Sequence, residues 1–408
     1  MLQHDLKLKW LYLDINSYFA TIEQQLNPLL RYKPIAVVPV MADTTCVIAA
    51  SQEAKALGIK TGTPVYKAKE LCPKLELVKS RHDVYIEYHH KIIKEISKHI
   101  QVDQVLSIDE CACQLSGNWN QEEIAVSIAN KIKQGICENV GSYITCSIGI
   151  APNRFLAKVA TNIHKPNGLV VIRPEEIQQK LCALTFSSIP GIGSKTALSL
   201  IKNGINSVKD LFALDAKSLK KAFSSITGER MWYLLRGIDL PAPKINKSSI
   251  THSKVLAPEL RNKNIAGVII HQLLMQASSR ARTEKLHATR LDIELLTTGG
   301  KIIKNYSKFY QANDSITLNN TLSTLWENTH YKHKFTELKK VGVTLSGFED
   351  SSIQGSLFNE HNDEYIRKQN QRERLSKTLD DLNKKYGKNT VTLGILPELL
   401  KTKPSIPI

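Results

Sequence analysis

Hydrophobic and polar positions alternate in the first half of the chain in a way that predicts a sheet with helices between its strands. Alternation with a period of two predicts strands at residues 8–15, 104–108 and 111–115. A helix-like stretch starts at Tyr18, shortly after the first strand. The strand pair therefore follows the first helix only after a long intervening segment.

The pattern continues with an amphipathic helix. Isoleucines spaced four residues apart give residues 121–139 one apolar face. A strand at 143–150, a helix at 153–164 and a strand at 169–172 follow. Together these elements have the β-α-β-β-α-β order of the split βαβ, or ferredoxin-like, plan.

The remaining segments predict an α+β protein of several domains, as its length also suggests. The predicted parts are a ferredoxin-like domain (1–27 and 79–174), an insertion in it (28–78), a helical domain (175–240), a stiff basic linker (241–247), an α+β domain (248–350) and a polar tail (351–408) with a charged helix-like stretch ending near Lys385.

Composition narrows the class of partner. The 408 residues carry a formal net charge of +17, which favours a polyanion, with nucleic acid as the first expectation. No apolar run is long enough to span a bilayer and no signal-peptide pattern is present, so we expect a cytoplasmic protein without a membrane partner. Seven cysteines without paired spacing argue against a disulfide framework, and Cys111 and Cys113 are predicted to be small buried side chains.

Three acidic residues lie at the ends of predicted strands. Asp14 is near the end of the first strand, and Asp109 and Glu110 lie at the junction of the strand pair. If these strands are neighbours, the carboxylates meet at one sheet edge, where like charges repel. Divalent cations relieve that repulsion, and a pair of Mg²⁺ ions is a standard device for nucleotidyl transfer. The pattern predicts a polymerase-like site.

A second motif lies in the helical domain. Gly191 and Gly193 allow a tight turn that opens onto the start of a helix at Lys195. This is helix-hairpin-helix spacing, and its backbone N–H groups suit a phosphate without reading a base.

Six motifs, in order, resemble those of the Y-family translesion DNA polymerases, especially the bacterial lesion-bypass branch of polymerase IV and V type. They are residues 14–20, 53–58, 107–110, 147–153, 165–168 and 190–193. The resemblance covers residues 8–358 and implies that the successive domains are palm, inserted fingers, thumb and little finger around a primer-template. The implied activity is low-fidelity, template-directed DNA synthesis from dNTPs across damaged bases.

The resemblance also implies roles for the acidic residues. Asp14 and Asp109 match the carboxylates that bridge two Mg²⁺ ions, and Glu110 matches the one beside the primer terminus. The carbonyl of Ile15 would complete the nucleotide-side ion.

Other matches concern the incoming nucleotide. Phe19 matches the steric gate that excludes a ribose 2′-OH, and Tyr18 beside it is expected against the base or sugar. Lys55 and Lys165 match the lysines that neutralise the triphosphate.

Two positions depart from one branch of the family. Asn16 stands where that branch has Asp, which fits the polymerase V-like branch and costs no metal ligand. Gln52 stands where it has a phosphate-contacting Tyr, and would replace that contact weakly. These features are compatible with an accessory subunit of polymerase V type.

Contacts to the DNA backbone are expected from Gly191, Gly193 and Lys195. In the last folded domain they are expected from six basic residues: Lys254, Arg261, Arg280, Arg282, Lys285 and Arg290.

In the tail, residues 354–358 resemble the peptide that docks in a pocket of the bacterial sliding clamp. Gln354 would be the polar anchor and Leu357 and Phe358 the apolar plug. The Leu-Phe pair could instead pack back on the preceding domain.

Two alternatives belong to other classes. A noncatalytic DNA-binding and clamp-binding adaptor could keep the fold, but would be expected to lose the metal carboxylates, and Asp14, Asp109 and Glu110 are all present. A base-excision glycosylase would explain the helix-hairpin-helix and leave those acids unexplained.

Overall fold

The structure is a computed structural model that describes residues 6–241, 248–348, 362–387 and 390–391. Contacts divide the chain into two compact units. The first contains residues 1–38 and 46–243, and the second contains residues 39–45 and 244–408.

The first unit contains eight strands among its described residues. They are β1 (Trp10–Ile15), β2 (Ile35–Val38), β3 (Ala49–Ala50), β4 (Glu76–Lys79), β5 (Gln104–Val105), β6 (Glu110–Gln114), β7 (Cys146–Ala151) and β8 (Leu169–Val171). Its α-helices are α1 (Tyr18–Leu26), α2 (Gln52–Ala56), α3 (Val65–Leu71), α4 (His82–Ile96), α5 (Glu122–Asn139), α6 (Arg154–Ile163), α7 (Ile177–Cys182), α8 (Ser194–Lys202), α9 (Val208–Ala213), α10 (Ala216–Ala222) and α11 (Ile226–Leu235).

A five-stranded sheet organises this unit, with strand order β5-β6-β1-β7-β8. Strand β1 is antiparallel to both β6 and β7, and β5 is antiparallel to β6. The order β7-β1-β6-β5 is that of the split βαβ plan, which confirms the predicted fold class. One detail differs: the plan is already complete at β7, and β8 is an additional strand, parallel to β7 and reached through α6.

Both faces of this sheet are covered, so all six residues of β1 are buried. Leu11, Leu13 and Ile15 pack in a core with residues of α4 and α5. Trp10 and Tyr12, on the opposite face, pack in a second core with residues of α6 and the following helices. Burying an apolar side chain of this size contributes about 1.5–3 kcal/mol to the free energy of folding. A strand with apolar residues on both faces is therefore most stable at the centre of the sheet, where β1 lies.

Close packing of α6 on the sheet depends on Gly149 in β7. A Cβ at this position would lie 2.1 Å from the carbonyl oxygen of Ala157, which is closer than atoms can approach. The absent side chain lets α6 lie directly on β7. Cys111 and Cys113 are buried in strand β6, on the other side of β1, as predicted.

The predicted insertion has a sheet of its own. Strand β2 is antiparallel to β3 and parallel to β4, and this three-stranded sheet is separate from the five-stranded one. A small core that includes Val47, Ala54 and Ile59 joins its strands to α2 and α3.

The second unit is a four-stranded antiparallel sheet with helices. Its elements are β9 (Ser249–Val255), α12 (Lys263–Thr283), β10 (Ala288–Thr297), β11 (Ile302–Ala312), α13 (Ser315–His333), β12 (Leu338–Ser346) and α14 (Asn362–Tyr386). The strand order is β11-β10-β12-β9. Leu291, Ile293 and Leu295 of β10 are buried, while the residues between them are half-exposed. One face of this sheet therefore packs on helices and the other is open.

Helix α14 packs on this domain through polar contacts. Asp380 accepts from Arg282 at 2.6 Å, Gln369 donates to the carbonyl of Gln311 at 3.0 Å, and the hydroxyl of Ser376 accepts from the Ser315 amide at 2.9 Å. The predicted division into domain and tail is thus corrected: the helix at residues 362–386 packs on the α+β domain. The clamp-like peptide at 354–358 lies outside the described residues. No helix in the described ranges is long and apolar enough to cross a membrane.

Candidate active site

Asp14 and Glu110 lie directly opposite each other on β1 and β6. The neighbouring strands that the sequence predicted are therefore present. Asp109 lies in the turn from β5 to β6, because the amides of Leu106 and Ser107 both donate to the Glu110 carbonyl and end β5 early. The main chain ties this turn to β1, since the amide of Ile15 donates to the carbonyl of Asp109 at 2.9 Å.

Two lysines converge on Asp14. Lys158, on α6, donates both to Asp14 Oδ2 and, at 2.6 Å, to Glu110 Oε1. The Nζ atom of Lys165 lies 2.8 Å from the same Asp14 oxygen. The side chains of Asp14 and Lys158 are only 9% and 18% exposed, so water screens this interaction weakly.

Glu110 and Asp109 also accept hydrogen bonds from hydroxyl groups. The Tyr12 hydroxyl donates to Glu110 Oε2 at 2.7 Å, and the Ser107 hydroxyl donates to Asp109 Oδ1 at 2.6 Å. Tyr12 is on the same face of β1 as Asp14, two residues earlier. Each carboxylate is therefore oriented by a different neighbour.

Asp14 and Asp109 respond oppositely to this environment. Burial disfavours the charge of Asp14, but the ammonium groups of Lys158 and Lys165 outweigh it and hold the pKa of this carboxyl below its usual range. Burial raises the pKa of Asp109, and the nearby negative charges of Asp14 and Glu110 raise it further, against the hydrogen bond from Ser107. The site thus has a compensated acid beside an uncompensated one.

The carboxylates suit a hard divalent cation in their chemistry. Mg²⁺ prefers oxygen ligands, and a positive group, the Lys158 ammonium, already lies between Asp14 and Glu110. As the side chains stand, no three His, Cys, Asp or Glu groups in the described part of the chain are close enough together to hold a metal ion. Metal binding would therefore require the acids and lysines to rearrange.

Asn16 supports the backbone beside the site. Its Oδ1 accepts from the Ser147 hydroxyl at 3.0 Å, and its Nδ2 donates to the Thr145 hydroxyl at 3.1 Å. These contacts tie the end of β1 to β7. Both the oxygen and the nitrogen of the amide have partners within the protein, and that Asn16 is not a metal ligand stays a prediction.

Phe19 and Tyr18 have different environments at the start of α1. The half-buried Phe19 ring stacks on Tyr85 of α4, with centroids 4.3 Å apart and an interplanar angle of 16°. Tyr18 is 4% exposed, and its hydroxyl donates to the Tyr85 carbonyl at 2.6 Å. This bond holds Tyr18 in the core, which argues against the predicted contact of its ring with a base or sugar.

Lys55 and Gln52 are both on α2 in the inserted subdomain. Burial lowers the pKa of Lys55, the positive charge of Lys165 lowers it further, and Asp14 and Asp109 oppose the shift. The predicted triphosphate lysines are therefore within electrostatic reach of each other and of the acids. Gln52 donates to the Ser17 hydroxyl at 3.0 Å, which joins α2 to the residue before α1.

The helix-hairpin-helix residues are accessible. Gly191 has a φ of 86°, a left-handed conformation that glycine adopts without strain. Gly193 is the N-cap of α8, and Lys195 is exposed in its first turn. The first backbone N–H groups of a helix lack intrahelical acceptors, so this turn can donate to a phosphate.

The six basic residues predicted to contact DNA in the second unit are dispersed. Arg280 and Lys285 are exposed on or just after α12, and Arg261 is half-exposed. Lys254 pairs in register with buried Val341, so it is on the helix-covered face of the sheet, where burial lowers its pKa. Arg290 is on the open face, paired with Asp292 at 2.6 Å.

Arg282 does not fit the prediction. Its side chain is 10% exposed, pairs with Asp380 of α14 and donates to the carbonyl of Asn313 at 2.6 Å. The guanidinium is used within the protein, which argues against the predicted contact with DNA.

Lys158 and Tyr12 are site residues that the sequence reasoning missed. Lys158 lies within the helix predicted at 153–164, but nothing in the sequence pattern indicated which side of that helix faces the acids. Tyr12 shares the period-two face of Asp14. What the sequence pattern did not supply was the packing of α6 over that face.

Three family models match successive parts of the chain. The impB/mucB/samB family matches residues 13–162, a SAM-like helix-hairpin-helix tandem matches residues 183–231, and the impB/mucB/samB family C-terminal domain matches residues 247–357. Asp14, Asp109 and Glu110 lie in the first of these segments.

Curated relatives extend over most of the chain. DNA polymerase IV of Oceanobacillus iheyensis is 30% identical over 386 residues, which cover 93% of this chain and 90% of the relative. DNA polymerase IV of Moorella thermoacetica is 29% identical and covers 93% of each chain. DNA polymerase IV of Saccharolobus solfataricus is 32% identical over 71% of this chain and 84% of its own length.

Solved structures are similar in fold as well. A Y-family DNA polymerase chimera of Dbh and Dpo4 superposes with a TM-score of 0.69 and 26% identity, covering 84% of this chain and 99% of the chimera. An insertion ternary complex of Dbh DNA polymerase has a TM-score of 0.55, also with 26% identity and the same coverage.

Proposed function

Because the chain belongs to the Y-family of DNA polymerases, we propose that its catalytic centre is the sheet edge where Asp14, Asp109 and Glu110 lie. The chain is a template-directed DNA polymerase of the translesion class, similar to DNA polymerase IV. Members of this family are metal-dependent nucleotidyltransferases.

The observation that carries the proposal is the pairing of Asp14 with Glu110 around one positive group, with Asp109 in the adjoining turn. Asp14 and Asp109 would hold two Mg²⁺ ions, with Glu110 on the primer side and the Ile15 carbonyl on the nucleotide side. When bound, such ions supply charge neutralisation and a more acidic 3′-hydroxyl. The protein's part is to orient the carboxylates, through Tyr12 for Glu110 and Ser107 for Asp109.

The substrate nucleotide would lie between the acids and the two lysines. Lys55 and Lys165 repel each other, and a triphosphate would relieve that repulsion. The primer 3′-hydroxyl would lose its proton and attack the α-phosphate, and the bond to the β-phosphate would break so that pyrophosphate leaves. Phe19, stacked on Tyr85, would present its ring to the sugar and exclude a 2′-hydroxyl. Gln52 would add a weak contact to the triphosphate.

DNA would be held mainly through its backbone. Gly191, Gly193 and Lys195 supply N–H groups and a charge at the helix-hairpin-helix. In the second unit, the open sheet face carries Arg290 and Lys308. Phosphate contacts of this kind confer affinity and little sequence preference.

A sliding clamp is proposed as partner through Gln354, Leu357 and Phe358. Support comes from the peptide pattern alone, because these residues lie outside the described part of the chain. The relatives named above are polymerases IV, and an accessory subunit of polymerase V type is not included in the proposal. Replacing all three residues with Ala should abolish binding to isolated clamp and clamp-stimulated synthesis, with extension of a short primer without clamp nearly unchanged. A variant that is unstable or inactive without any clamp would instead show that Leu357 and Phe358 pack in the last domain.

The noncatalytic adaptor is the alternative. It predicts no role for the half-buried cluster of acids and lysines, and no observation in the described residues favours it.

Primer extension by the purified chain tests the catalytic proposal. We expect Mg²⁺-dependent extension on undamaged templates and insertion opposite an abasic site, both abolished by EDTA. Asp14→Asn and Glu110→Gln should bind primer-template normally and extend poorly. Full extension by both variants would contradict the assignment of the site, and binding without extension by the wild type would favour the adaptor.

A further inference from the structure

Lys158 contacts the catalytic acids and has no part in the reaction proposed above. Its ammonium donates to one oxygen of Asp14 and, at 2.6 Å, to one oxygen of Glu110. Because these two acids are directly opposite on β1 and β6, the ammonium lies between two strands. The close packing of α6 at Gly149 brings it there.

A divalent cation bridging Asp14 and Glu110 would need the same oxygens. Two cations cannot share that position, since like charges at contact distance repel strongly in a site with little water. Burial also makes an uncompensated carboxylate costly. Some positive group is therefore needed whenever the metals are absent.

We propose that Lys158 is an internal counterion that occupies the metal position in the free enzyme and is displaced when metal binds. Metal binding is then an exchange of one cation for another. The inference rests on the proposed function, because it takes these acids as metal ligands. Lys158 acts through the acids, as a positioning residue.

The surroundings of Lys158 are suited to such an exchange. Tyr12 donates to the other oxygen of Glu110 at 2.7 Å, so Glu110 stays oriented when the lysine leaves. Beside the lysine is a cavity of about 430 Å³, lined by Tyr12 and Lys158 and also by the carboxylate-bearing Asp239. The displaced ammonium has space there. Asp239, which accepts from Trp10 Nε1 at 2.8 Å, is the acid in the lining, and Arg154 and Arg230 also line the cavity.

Lys165 differs from Lys158 in its contacts, its exposure and its position in the chain. It contacts Asp14 but not Glu110, and its side chain is 35% exposed against 18% for Lys158. It lies beyond the end of α6, on a turn. An exposed lysine on a turn can follow a triphosphate, whereas Lys158 lies in the position of the metal.

Mn²⁺ binding to the free full-length enzyme, without DNA or nucleotide, tests the exchange. Free Mn²⁺ is measured by its electron paramagnetic resonance signal, together with the Mn²⁺-induced shift in melting temperature. Lys158→Met keeps an unbranched side chain, one atom shorter, and removes its charge, whereas Lys158→Arg keeps the charge. Lys180→Met is a control at a lysine of α7 that contacts Val171 and Glu176.

We expect Lys158→Met to bind Mn²⁺ about tenfold or more tightly than the wild type, because a competing cation has been removed. Its melting temperature should also rise more on adding Mn²⁺. Lys158→Arg and Lys180→Met should behave as the wild type, and adding Glu110→Gln to Lys158→Met should remove the gain.

Equal or weaker Mn²⁺ binding by Lys158→Met would overturn the inference, and Lys158→Gln gives the same test if the Met variant does not fold. If binding in wild type and variant is equal but still depends on Glu110, the exchange fails and the metal site stands. If no binding depends on the acids, both fail.

Discussion

The five-stranded and the four-stranded sheet of this polymerase each bear a cluster of acids and lysines, and the clusters differ in burial. On the five-stranded sheet, Asp14 meets Lys158 and Lys165, with side chains 9%, 18% and 35% exposed. On the four-stranded sheet, Glu294 meets Lys304 and Lys340, with side chains 43%, 70% and 35% exposed. The residue types are nearly the same, so the difference lies in what covers them.

Covering both faces of a sheet changes the environment of its ion pairs. Helix α6 lies over the face that bears Asp14, whereas the face that bears Glu294 is open. Hydrogen bonds from Lys304 and Lys340 lower the pKa of Glu294. At the covered sheet, burial disfavours the charge of Asp14 but the two lysines still hold its pKa below the usual range, whereas burial raises the pKa of the adjoining Asp109. An exposed ion pair contributes little to stability or chemistry, while a buried acid with insufficient compensation is prepared to bind a cation.

The largest expected effect comes from removing one acid beside each sheet. Asp109→Ala should reduce nucleotide incorporation by more than the ~100-fold cost of losing a residue that only orients a metal ligand, because it removes a proposed ligand itself. Asp292→Ala, which removes the partner of Arg290 on the open sheet, should leave incorporation nearly unchanged. Single-turnover extension measures both, with primer-template binding as the control for folding. Comparable losses in the two variants would show that burial does not distinguish the clusters.

Aromatic side chains allow the same comparison between the covered and the open sheet, with a smaller expected effect. Phe19→Ala should admit ribonucleotides, because the space that its ring fills would accept a 2′-hydroxyl, and dNTP use should fall more modestly. Tyr306, 52% exposed on the open sheet, provides the control: Tyr306→Ala should leave sugar discrimination intact. The ratio of rNTP to dNTP incorporation is the measurement. Unchanged discrimination by Phe19→Ala would mean that another residue is the gate.

Affinity for DNA should depend on the open sheet rather than on its covered face. Lys308→Ala should weaken binding several-fold, equally on all duplex sequences, and reduce the slope of log K against log salt by about 1, since one phosphate contact is lost. Lys254→Ala, on the helix-covered face, should change neither. Binding titrations at several salt concentrations distinguish them. A strong sequence preference, or equal effects at the two lysines, would contradict backbone binding by this face.

That the acids lie close together was predictable from sequence. Strands that alternate with a period of two and carry an acid at one end can pair in only a few registers. Asp14 and Glu110 are therefore opposite each other, as expected. Lys158 was not predictable in the same way, because its place depends on how closely α6 approaches β7, which a glycine at 149 decides. The ion pair of Arg282, which argues against the expected DNA contact, was not predictable. Its partner, Asp380, is 98 residues away on α14, and the hydrophobic pattern does not show where that helix packs.

Stability against pH should show the smallest effect, with opposite signs in the two clusters. The folded-state pKa of Asp109 is raised, so the folded protein binds the proton more tightly and loses stability as pH rises above the unfolded value of about 3.9. Asp109→Asn removes this loss and should raise the melting temperature at neutral pH in EDTA, by about 2–4 °C for each kcal/mol, with no gain below pH ~3.9.

The pKa of Glu294 is lowered, so its contribution is present above about pH 4.3 and is lost as pH falls. Glu294→Gln should therefore lower stability slightly at neutral pH. Because Mg²⁺ would relieve the repulsion at Asp109, the advantage of Asp109→Asn should disappear when Mg²⁺ replaces EDTA, while that of Glu294 stays the same. If both substitutions shift the melting temperature in the same direction, burial is not what separates the two clusters.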